Sequence, residues 1–256
     1  MNQQPVSREP ASPDRTSLLS RWWAIGAVLA LFAGMGFWYS LTVPPFETPD
    51  EIHHYAFARH LSQGGGLPVQ TVQANEAWAH EGTQPPLYYF LVGRLTAAID
   101  QSDFDSLNRP SPHANMGDPL YPGNKNRMLY SAQRLPWRGA YLALLVGRWV
   151  SLTLGILTVY LIYLTARLVW PADRALPLLA SFLAASIPQF AFISAAVSND
   201  SMIIVTSTAA IYWLARLTTR AGERPIAPWE WAGAGLLAGL AALSKLPGLG
   251  VSLLAA

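Results

Sequence analysis

The residues best suited to chemistry lie just after the first apolar segment of the chain, in the sequence Pro44-Pro-Phe-Glu-Thr-Pro-Asp-Glu-Ile-His-His-Tyr55. Asp50, Glu51, His53 and His54 bring two acids and two imidazoles into about one helical turn, and residues four apart share a helix face. A carboxylate here can act as a general base toward an incoming hydroxyl group. The same side-chain types can bind a divalent metal. We favour the base, because adjacent histidines point apart on a helix.

Signals for the start of a helix give some of these residues a structural explanation. Thr48 suits an N-cap, Pro49 suits the first helical position, and Glu51 stands three residues after the threonine. This spacing predicts a capping box, and the helix dipole favours acids in the first turn. The explanation is sufficient for Glu51. It is weaker for Asp50 and His54, which remain candidates for chemistry.

A second polar group runs from Asn75 to Tyr89 and contains His80, Glu81, Gln84, a Pro-Pro pair and two tyrosines. The prolines stiffen the start of a short helix, and the tyrosines, Tyr88 among them, suit the interface between membrane and water. A structural turn with aromatic anchors therefore explains the tyrosines. It explains His80 and Glu81 less well.

Two further charges fall within or beside later apolar segments. Asp200 precedes one such segment, where a helix cap and a site residue are equally good interpretations. Lys245 lies about 14–16 residues into the last segment, roughly 21–24 Å along a helix. A lysine within a span indicates a functional site, although it can also extend to the nearby surface. At that depth Lys245 can meet a lipid phosphate.

The elements that position these residues follow from composition. Hydrophobic residues form 52% of the 256 positions and charged residues only 12%, against about 25% charged in soluble domains. Each of five nearly uncharged segments approaches or exceeds the roughly 18–20 apolar residues that cross a bilayer. The sequence therefore predicts an all-α membrane protein of about five transmembrane helices. The segments are residues 22–43, 149–166, 176–199, 201–215 and 231–256.

Basic residues near the predicted helix ends set the orientation. They occur in the N-terminal tail and in the turns after the second and fourth spans, but not in the turn near Asp200, so these basic parts and the N-terminus are expected in the cytoplasm. Residues 1–21 then form a cytoplasmic tail, and residues 22–256 one transmembrane domain. The loop 44–138 lies outside and carries two surface helices, 49–63 and 86–99. The basic residues are Arg8, Arg15, Arg21, Arg167, Arg174, Arg216, Arg220 and Arg224.

Other features exclude some classes of protein and partner. The net charge is only +2, without a basic cluster containing aromatic residues, so nucleic acid is not an expected partner. The absence of cysteine excludes disulfides and thiolate metal sites. The first apolar segment has no good cleavage site and is expected to be a retained anchor.

In combination, these residues resemble the GT-C superfamily of membrane glycosyltransferases, which use polyprenyl-phosphate-linked sugars. Protein O-mannosyltransferases and lipid A aminoarabinose transferases share this plan. The resemblance covers residues 22–256, although Gln84 stands where several such families have histidine. It lies in the order of Thr48-Pro49-Asp50-Glu51 and His54 after a first span, then Gln84-Pro85-Pro86-Leu87-Tyr88-Tyr89, Arg148 at the second span, Asp200 at the next outer turn, and Ser244-Lys245.

The resemblance implies an inverting sugar transfer at the outer face of the cytoplasmic membrane. The donor would be a polyprenyl-phosphate-linked sugar, and the acceptor a glycan, a lipid or a protein. Some members bind a divalent metal and others do not, so metal use stays open, and no organic cofactor is expected. The implied site has Asp50 as base and Glu51 as the other catalytic residue, with Lys245 and Arg148 at the donor phosphate and Asp200 as a second acid. The further candidates are His54, His80, Glu81, Gln84 and Tyr88. A metal, if used, would be held by Asp50, His54 and Asp200.

The alternative function is that of a transporter or flippase for a lipid-linked glycan, with Asp50, Asp200 and Lys245 along its pathway. Transporters place charged site residues near the middle of the membrane. Here the acids are predicted at the outer interface, which favours the transferase. GT-C enzymes have more spans than five, and residues 251–256 are still apolar. The sequence is therefore expected to be the N-terminal part of a longer protein.

Overall fold

Helices joined by turns and loops form the structure in the part of the chain that it describes, with one isolated β-bridge between Pro110 and Met128. This structure is a computed structural model. It covers the backbone of residues 15–69, 71, 76–114, 120, 122–123, 125–130, 135–222 and 224–253, and side chains from residue 22 onward. The helices are α1 Arg15–Thr42, α2 Glu51–Ser62, α3 Leu87–Thr96, α4 Phe104–Leu107, α5 Gly139–Val169, α6 Ala175–Ala185, α7 Pro188–Ile193, α8 Asp200–Arg220, α9 Pro228–Ala242, a 3₁₀ turn Leu246–Gly248, and α10 Leu249–Ser252.

Three of the described helices are long and apolar enough to cross a membrane. They are Trp22–Thr42 within α1, Gly139–Val169 and Asp200–Arg220. These coincide with the first, second and fourth predicted spans. The prediction of an all-helical membrane protein is thereby confirmed.

The third and fifth predicted spans differ from single long helices, and in each case the sequence contains the reason. Pro188 begins α7 and cannot continue the hydrogen bonding of α6, so the chain breaks at residues 186–187. In the last segment α9 ends at Ala242, and the chain turns back. A Cβ atom on Gly248 would lie only 2.0 Å from the carbonyl oxygen of Ala241, so this return requires glycine.

Helix α5 is the centre of the bundle, with α1, α3, α6 and α8 packed around it. Small residues on α5 allow the segment before α8 to approach closely. A Cβ atom on Gly147 would be 2.9 Å from the Val197 side chain, and one on Gly155 would be 2.7 Å from the Ser194 hydroxyl. This packing holds residues 197–200 against the beginning of α5.

The two predicted loop helices form at residues 51–62 and 87–96, close to their predicted limits. They pack on each other and on α5, in a core that includes Phe57, Tyr88, Tyr89 and Val197. Tyr88 and Tyr89 are fully buried, so the prediction that they anchor the helix at the membrane interface is wrong. We call this end of the bundle the loop end. The opposite end, with the α5–α6 and α8–α9 connections, is the basic end.

Candidate active site

The first site element is the start of α2, where the chain is bent sharply. Asp50 precedes the helix with φ 56°, and Phe46 has φ 64°. Such left-handed conformations cost a non-glycine residue about 1–3 kcal/mol and are found preferentially at functional sites. The Asp50 backbone carbonyl accepts hydrogen bonds from the amides of His53 and His54, at 2.9 and 3.0 Å, but its side chain makes no capping bond. The Asp50 carboxylate is therefore free for another use.

The predicted capping box does not form. The hydroxyl of Thr48 is buried without a hydrogen-bond partner in the described part of the chain, and α2 begins after Asp50. The Glu51 carboxylate has a different set of partners. It accepts hydrogen bonds from the amides of Phe46 and Val197, each at 3.0 Å, and from two nitrogens of Arg148 at 2.8 and 2.6 Å.

Arg148 is completely enclosed by this arrangement. Besides its two bonds to Glu51, its guanidinium donates to the carbonyls of Ser40, Val43 and Pro44 at 2.8, 2.7 and 3.1 Å. Neither side chain of the pair has any exposed surface. All five donors of the arginine are occupied, so the structure leaves none for the donor phosphate that Arg148 was expected to bind. The pair instead fixes the end of α1 and the start of α2 against α5.

His54 lies inside the loop end, next to Tyr89 and Glu81. Its Nδ1 is 2.8 Å from the Tyr89 hydroxyl and 3.7 Å from a Glu81 carboxylate oxygen. Burial lowers the pKa of His54 to about 4, against the opposing effect of the negative charges of Asp200 and Asp50. Burial also raises the pKa of the Glu81 carboxyl, although positive charge on His80 opposes this. His54 is consequently a neutral imidazole at neutral pH.

Asp50, His80 and Glu81 form the cluster that is best arranged for a cation. One potential ligand atom from each lies within 4.8 Å of the others, and Glu81 is buried whereas His80 is exposed. Two carboxylates and one imidazole suit a divalent cation. This set differs from the predicted Asp50, His54 and Asp200. Within the described residues His54 and Asp200 are not part of the cluster; the Nδ1 of His54 contacts Tyr89, and Asp200 pairs with Lys245.

Asp200 and Lys245 form a second, open ion pair. The Lys245 ammonium lies 2.6 Å from an Asp200 carboxylate oxygen, and the two side chains are 28% and 37% exposed. Asp200 is the first residue of α8, and Lys245 lies in extended backbone in the break after α9. Both charges, together with that of Asp50, act on the pKa of His54. The pair therefore lies near the same site as Asp50.

Gln84 and Tyr88 hold the loop to the bundle. The Tyr88 hydroxyl is 2.7 Å from the Ser151 hydroxyl and accepts a hydrogen bond of 3.1 Å from the amide of Ser198. The Gln84 side chain makes a long contact of 3.5 Å with the Asn199 amide group. The structure thus places Tyr88 in the packing between helices, and Gln84 beside the start of α8.

Tyr89 is the residue that the sequence analysis missed. It was interpreted only as an anchor at the membrane interface, but it is the hydrogen-bond partner of His54. Its ring also stacks on Phe57, with centroids 4.2 Å apart. The sequence did contain a signal, because positions 88, 89, 92 and 96 recur at helical spacing and so predict one face of a helix. In the structure all four residues are buried.

A separate cavity of about 660 Å³ lies beside α2 and α4, lined in part by His53, Arg59 and His60. None of Asp50, Asp200 or Lys245 lines it. This cavity and the site of Asp50, Asp200 and Lys245 are therefore different places. The candidate catalytic residues are therefore the charged ones, and not those that line this cavity.

The chain is similar to known proteins both in sequence and in fold. Residues 124–256, just over half of the chain, match the family model of dolichyl-phosphate-mannose-protein mannosyltransferases. The fold is similar to that of the S. cerevisiae protein O-mannosyltransferase Pmt1–Pmt2 complex bound to the sugar donor, with a TM-score of 0.60 and 20% sequence identity. The similarity covers 91% of this chain but 26% of that chain, so it spans about a quarter of the yeast protein. No curated protein matches the chain significantly.

Proposed function

The chain belongs to the dolichyl-phosphate-mannose-protein mannosyltransferase family, and from this premise we propose that it transfers a sugar from a polyprenyl-phosphate-linked donor to a hydroxyl acceptor. The observation that carries the proposal is the Asp50 carboxylate, which has no hydrogen bond or ion pair within the described residues. One of its oxygens lies within 4.8 Å of a carboxylate oxygen of buried Glu81, and the charges of Asp50, Asp200 and Lys245 all act on the pKa of His54.

The proposed reaction uses Asp50 as a general base. The acceptor hydroxyl loses its proton to the Asp50 carboxylate as its oxygen attacks the anomeric carbon of the sugar. The bond from that carbon to the phosphate oxygen breaks, and the phosphate leaves with the electron pair. Attack from the face opposite to the phosphate inverts the anomeric configuration. A positioned base contributes about 10²–10⁴-fold to such a step.

Lys245 is the proposed partner of the leaving phosphate. Its ammonium is partly exposed and has one carboxylate contact, to Asp200. Positive charge placed where negative charge develops lowers the barrier of the transfer. In this proposal Asp200 holds Lys245 in place before the donor binds, and Glu51 and Arg148 position Asp50 rather than touching either substrate.

A divalent metal at Asp50, His80 and Glu81 is the second form of the proposal. A cation bound there would offset negative charge on the donor phosphate. The donor set fits such an ion, since the Asp50 carboxylate is unpartnered among the described residues and the three ligand atoms are close together. His80→Gln separates the two forms. Loss of transfer that added Mn²⁺ or Mg²⁺ partly restores supports the metal, whereas normal transfer in a chelator leaves Asp50 as base alone.

The position of the charges favours a transferase over a transporter. Asp50, Asp200 and Lys245 all lie at the loop end, near helix termini. Arg148 lies deeper in α5, but its donors are fully occupied. A pathway across the membrane needs polar groups near mid-span that a passing ligand can reach.

The proposed location is the cytoplasmic membrane, with the N-terminus in the cytoplasm and residues 44–138 outside as one part of a transmembrane domain 22–256. The chain has no cysteine, so single cysteines can report orientation. A cysteine at Ser102 should react with an impermeant thiol reagent in intact cells. A cysteine at Thr219 should react only after permeabilisation. The opposite pattern would overturn the orientation.

The principal test replaces Asp50 with Asn in the full-length protein. The measurement is the transfer of mannose from a polyprenyl-phosphate donor to an acceptor peptide or lipid. We expect the rate to fall by about 10²–10⁴-fold with little change in thermal unfolding, because the Asp50 side chain makes no cap. Asp100→Asn is the matched control, since among the described residues that exposed acid accepts hydrogen bonds from Ser102 alone, in its own turn. Near-normal transfer by Asp50→Asn would exclude the base.

A further inference from the structure

A small cavity of about 160 Å³ lies at the basic end of the bundle, between α1, α5 and the start of α6. It is far from the proposed reaction, which belongs to the loop end. Its lining combines apolar residues with two arginines, one acid and one tyrosine. These residues are Ala24, Tyr163, Arg167, Asp173, Arg174, Pro177 and Leu178.

The two arginines of this cavity have no ion-pair partner within the described part of the chain. The guanidinium of Arg167 lies 5.7 Å from the centroid of the Tyr163 ring, and this is a cation–π contact. The nearby carboxylate of Asp173 is used otherwise. One of its oxygens accepts hydrogen bonds from the amides of Ala175 and Leu176, at 2.7 and 2.9 Å, and thereby satisfies amide groups in the first turn of α6.

Another arginine at the same end shows how such a charge is satisfied when a carboxylate is available. Arg224 makes two hydrogen bonds to Glu230, at 2.9 and 2.8 Å. Arg167 and Arg174 have no equivalent, although both line one cavity. Two guanidinium groups that line one cavity without an ion pair suit a phosphate, which accepts hydrogen bonds at several oxygens.

Exposed tryptophans give the level of this cavity relative to the membrane. Trp22 and Trp23 near the start of the first span, and Trp170 at the end of α5, are 58%, 78% and 48% exposed. Trp229 and Trp231 at the start of α9 are also exposed. Tryptophan is enriched at the interface between membrane and water. The cavity therefore lies at the depth of lipid headgroups.

We propose that this cavity binds the phosphate headgroup of an anionic membrane phospholipid. Basic pockets between transmembrane helices are a known form of headgroup site. The cavity volume of about 160 Å³ is several times the roughly 30 Å³ that one water molecule occupies, so a phosphate group fits in it. A headgroup held there would connect the end of α5 to the start of α6 through its contacts with Arg167 and Arg174. This binding is independent of the sugar transfer proposed above.

The test compares lipid binding by the full-length protein and by Arg167→Gln/Arg174→Gln. The probes are phosphatidylglycerol and phosphatidylcholine, and bound lipid is counted by native mass spectrometry of the protein in detergent. We expect selective binding of phosphatidylglycerol that falls about fivefold for each arginine lost, equivalent to about 1 kcal/mol each. Arg167→Lys/Arg174→Lys should keep most of the selectivity.

Arg216→Gln is the matched control. Arg216 also stacks on an aromatic ring, that of Trp213, at 5.7 Å, but it does not line the cavity. An equal loss in this variant would indicate a general charge effect and overturn the site. Arg174 is exposed, so Arg174→Gln alone reports the site if the double variant does not fold. Retention of phosphatidylglycerol by a folded Arg167→Gln/Arg174→Gln would also overturn the lipid assignment. So would a result in which inorganic phosphate protects the protein against thermal unfolding as well as phosphatidylglycerol does.

Discussion

The pair of Arg148 and Glu51 is enclosed on every side, whereas the pair of Lys245 and Asp200 is open to solvent. In the first, every donor of the arginine and the two carboxylate oxygens are bonded to protein groups. In the second, a single contact of 2.6 Å joins side chains that are 28% and 37% exposed. An ion pair whose hydrogen-bonding groups are all occupied by the protein can only stabilise the fold. An open pair can exchange a partner for a ligand.

The largest effect should come from breaking the enclosed pair. Glu51→Gln or Arg148→Gln leaves the other charge buried without its counter-ion, and we expect the free energy of unfolding to fall by about 3–5 kcal/mol. Chemical unfolding in detergent measures this. Asp200→Asn is the comparison, with an expected cost of about 0–1 kcal/mol, because exposed pairs contribute little. Equal costs in the two pairs would remove the distinction.

The next effect concerns His54, whose ring is buried beside Tyr89 and Glu81. Since burial lowers its pKa to about 4, the folded state binds fewer protons than the unfolded state below the ordinary pKa of about 6.5. The stabilisation from neutral His54 is therefore present above pH 6.5 and is lost as the pH falls toward 4. We expect a loss of about 3 kcal/mol over that range.

Unfolding is to be measured from pH 7 to pH 4 in a chelator, which keeps metal binding out of the result. His54→Gln should flatten this dependence. His80→Gln should retain it, because His80 is exposed and does not contact Tyr89. An unchanged pH profile in His54→Gln would show that another group is responsible.

The smallest effect on stability should accompany a clear effect on transfer. Lys245→Gln removes the open cation, and we expect kcat/KM for the donor to fall about 10–100-fold, or roughly 1.4–2.8 kcal/mol. The unfolding midpoint should change little, and Lys245→Arg should recover part of the activity. Arg94→Gln removes an exposed charge from α3 and serves as the control. A large loss of stability in Lys245→Gln would show that the pair of Lys245 and Asp200 stabilises the fold in the way the enclosed pair does.

Sequence patterns were sufficient for the elements whose signals are local. Apolar runs predicted three of the spans and the helical class, and capping and proline signals located α2 and α3 within a few residues. The resemblance to GT-C enzymes is confirmed by the family match and by the fold. The breaks in the third and fifth predicted spans could have been anticipated from Pro188 and from Pro247 with Gly248.

What the sequence did not provide are contacts between distant positions. Glu51 looked like the second half of a capping box because its spacing from Thr48 is local. Its true partner, Arg148, lies 97 residues away. His54 likewise meets Tyr89 across 35 residues, and the acid and imidazole groups that lie close to Asp50 are those of His80 and Glu81. Side-chain spacing along one helix does not specify which distant groups compete for the same atom.

The carbonyls of Ser40, Val43 and Pro44 at the end of α1 are satisfied by a guanidinium more than a hundred residues further along the chain. A ribosome makes residues 40–62 long before residue 148. During synthesis these carbonyls and the Glu51 carboxylate must therefore rely on water or other temporary partners. The bend that presents Asp50 is completed only when the second span has been inserted, and the last bond to Glu51, from Val197, comes later still.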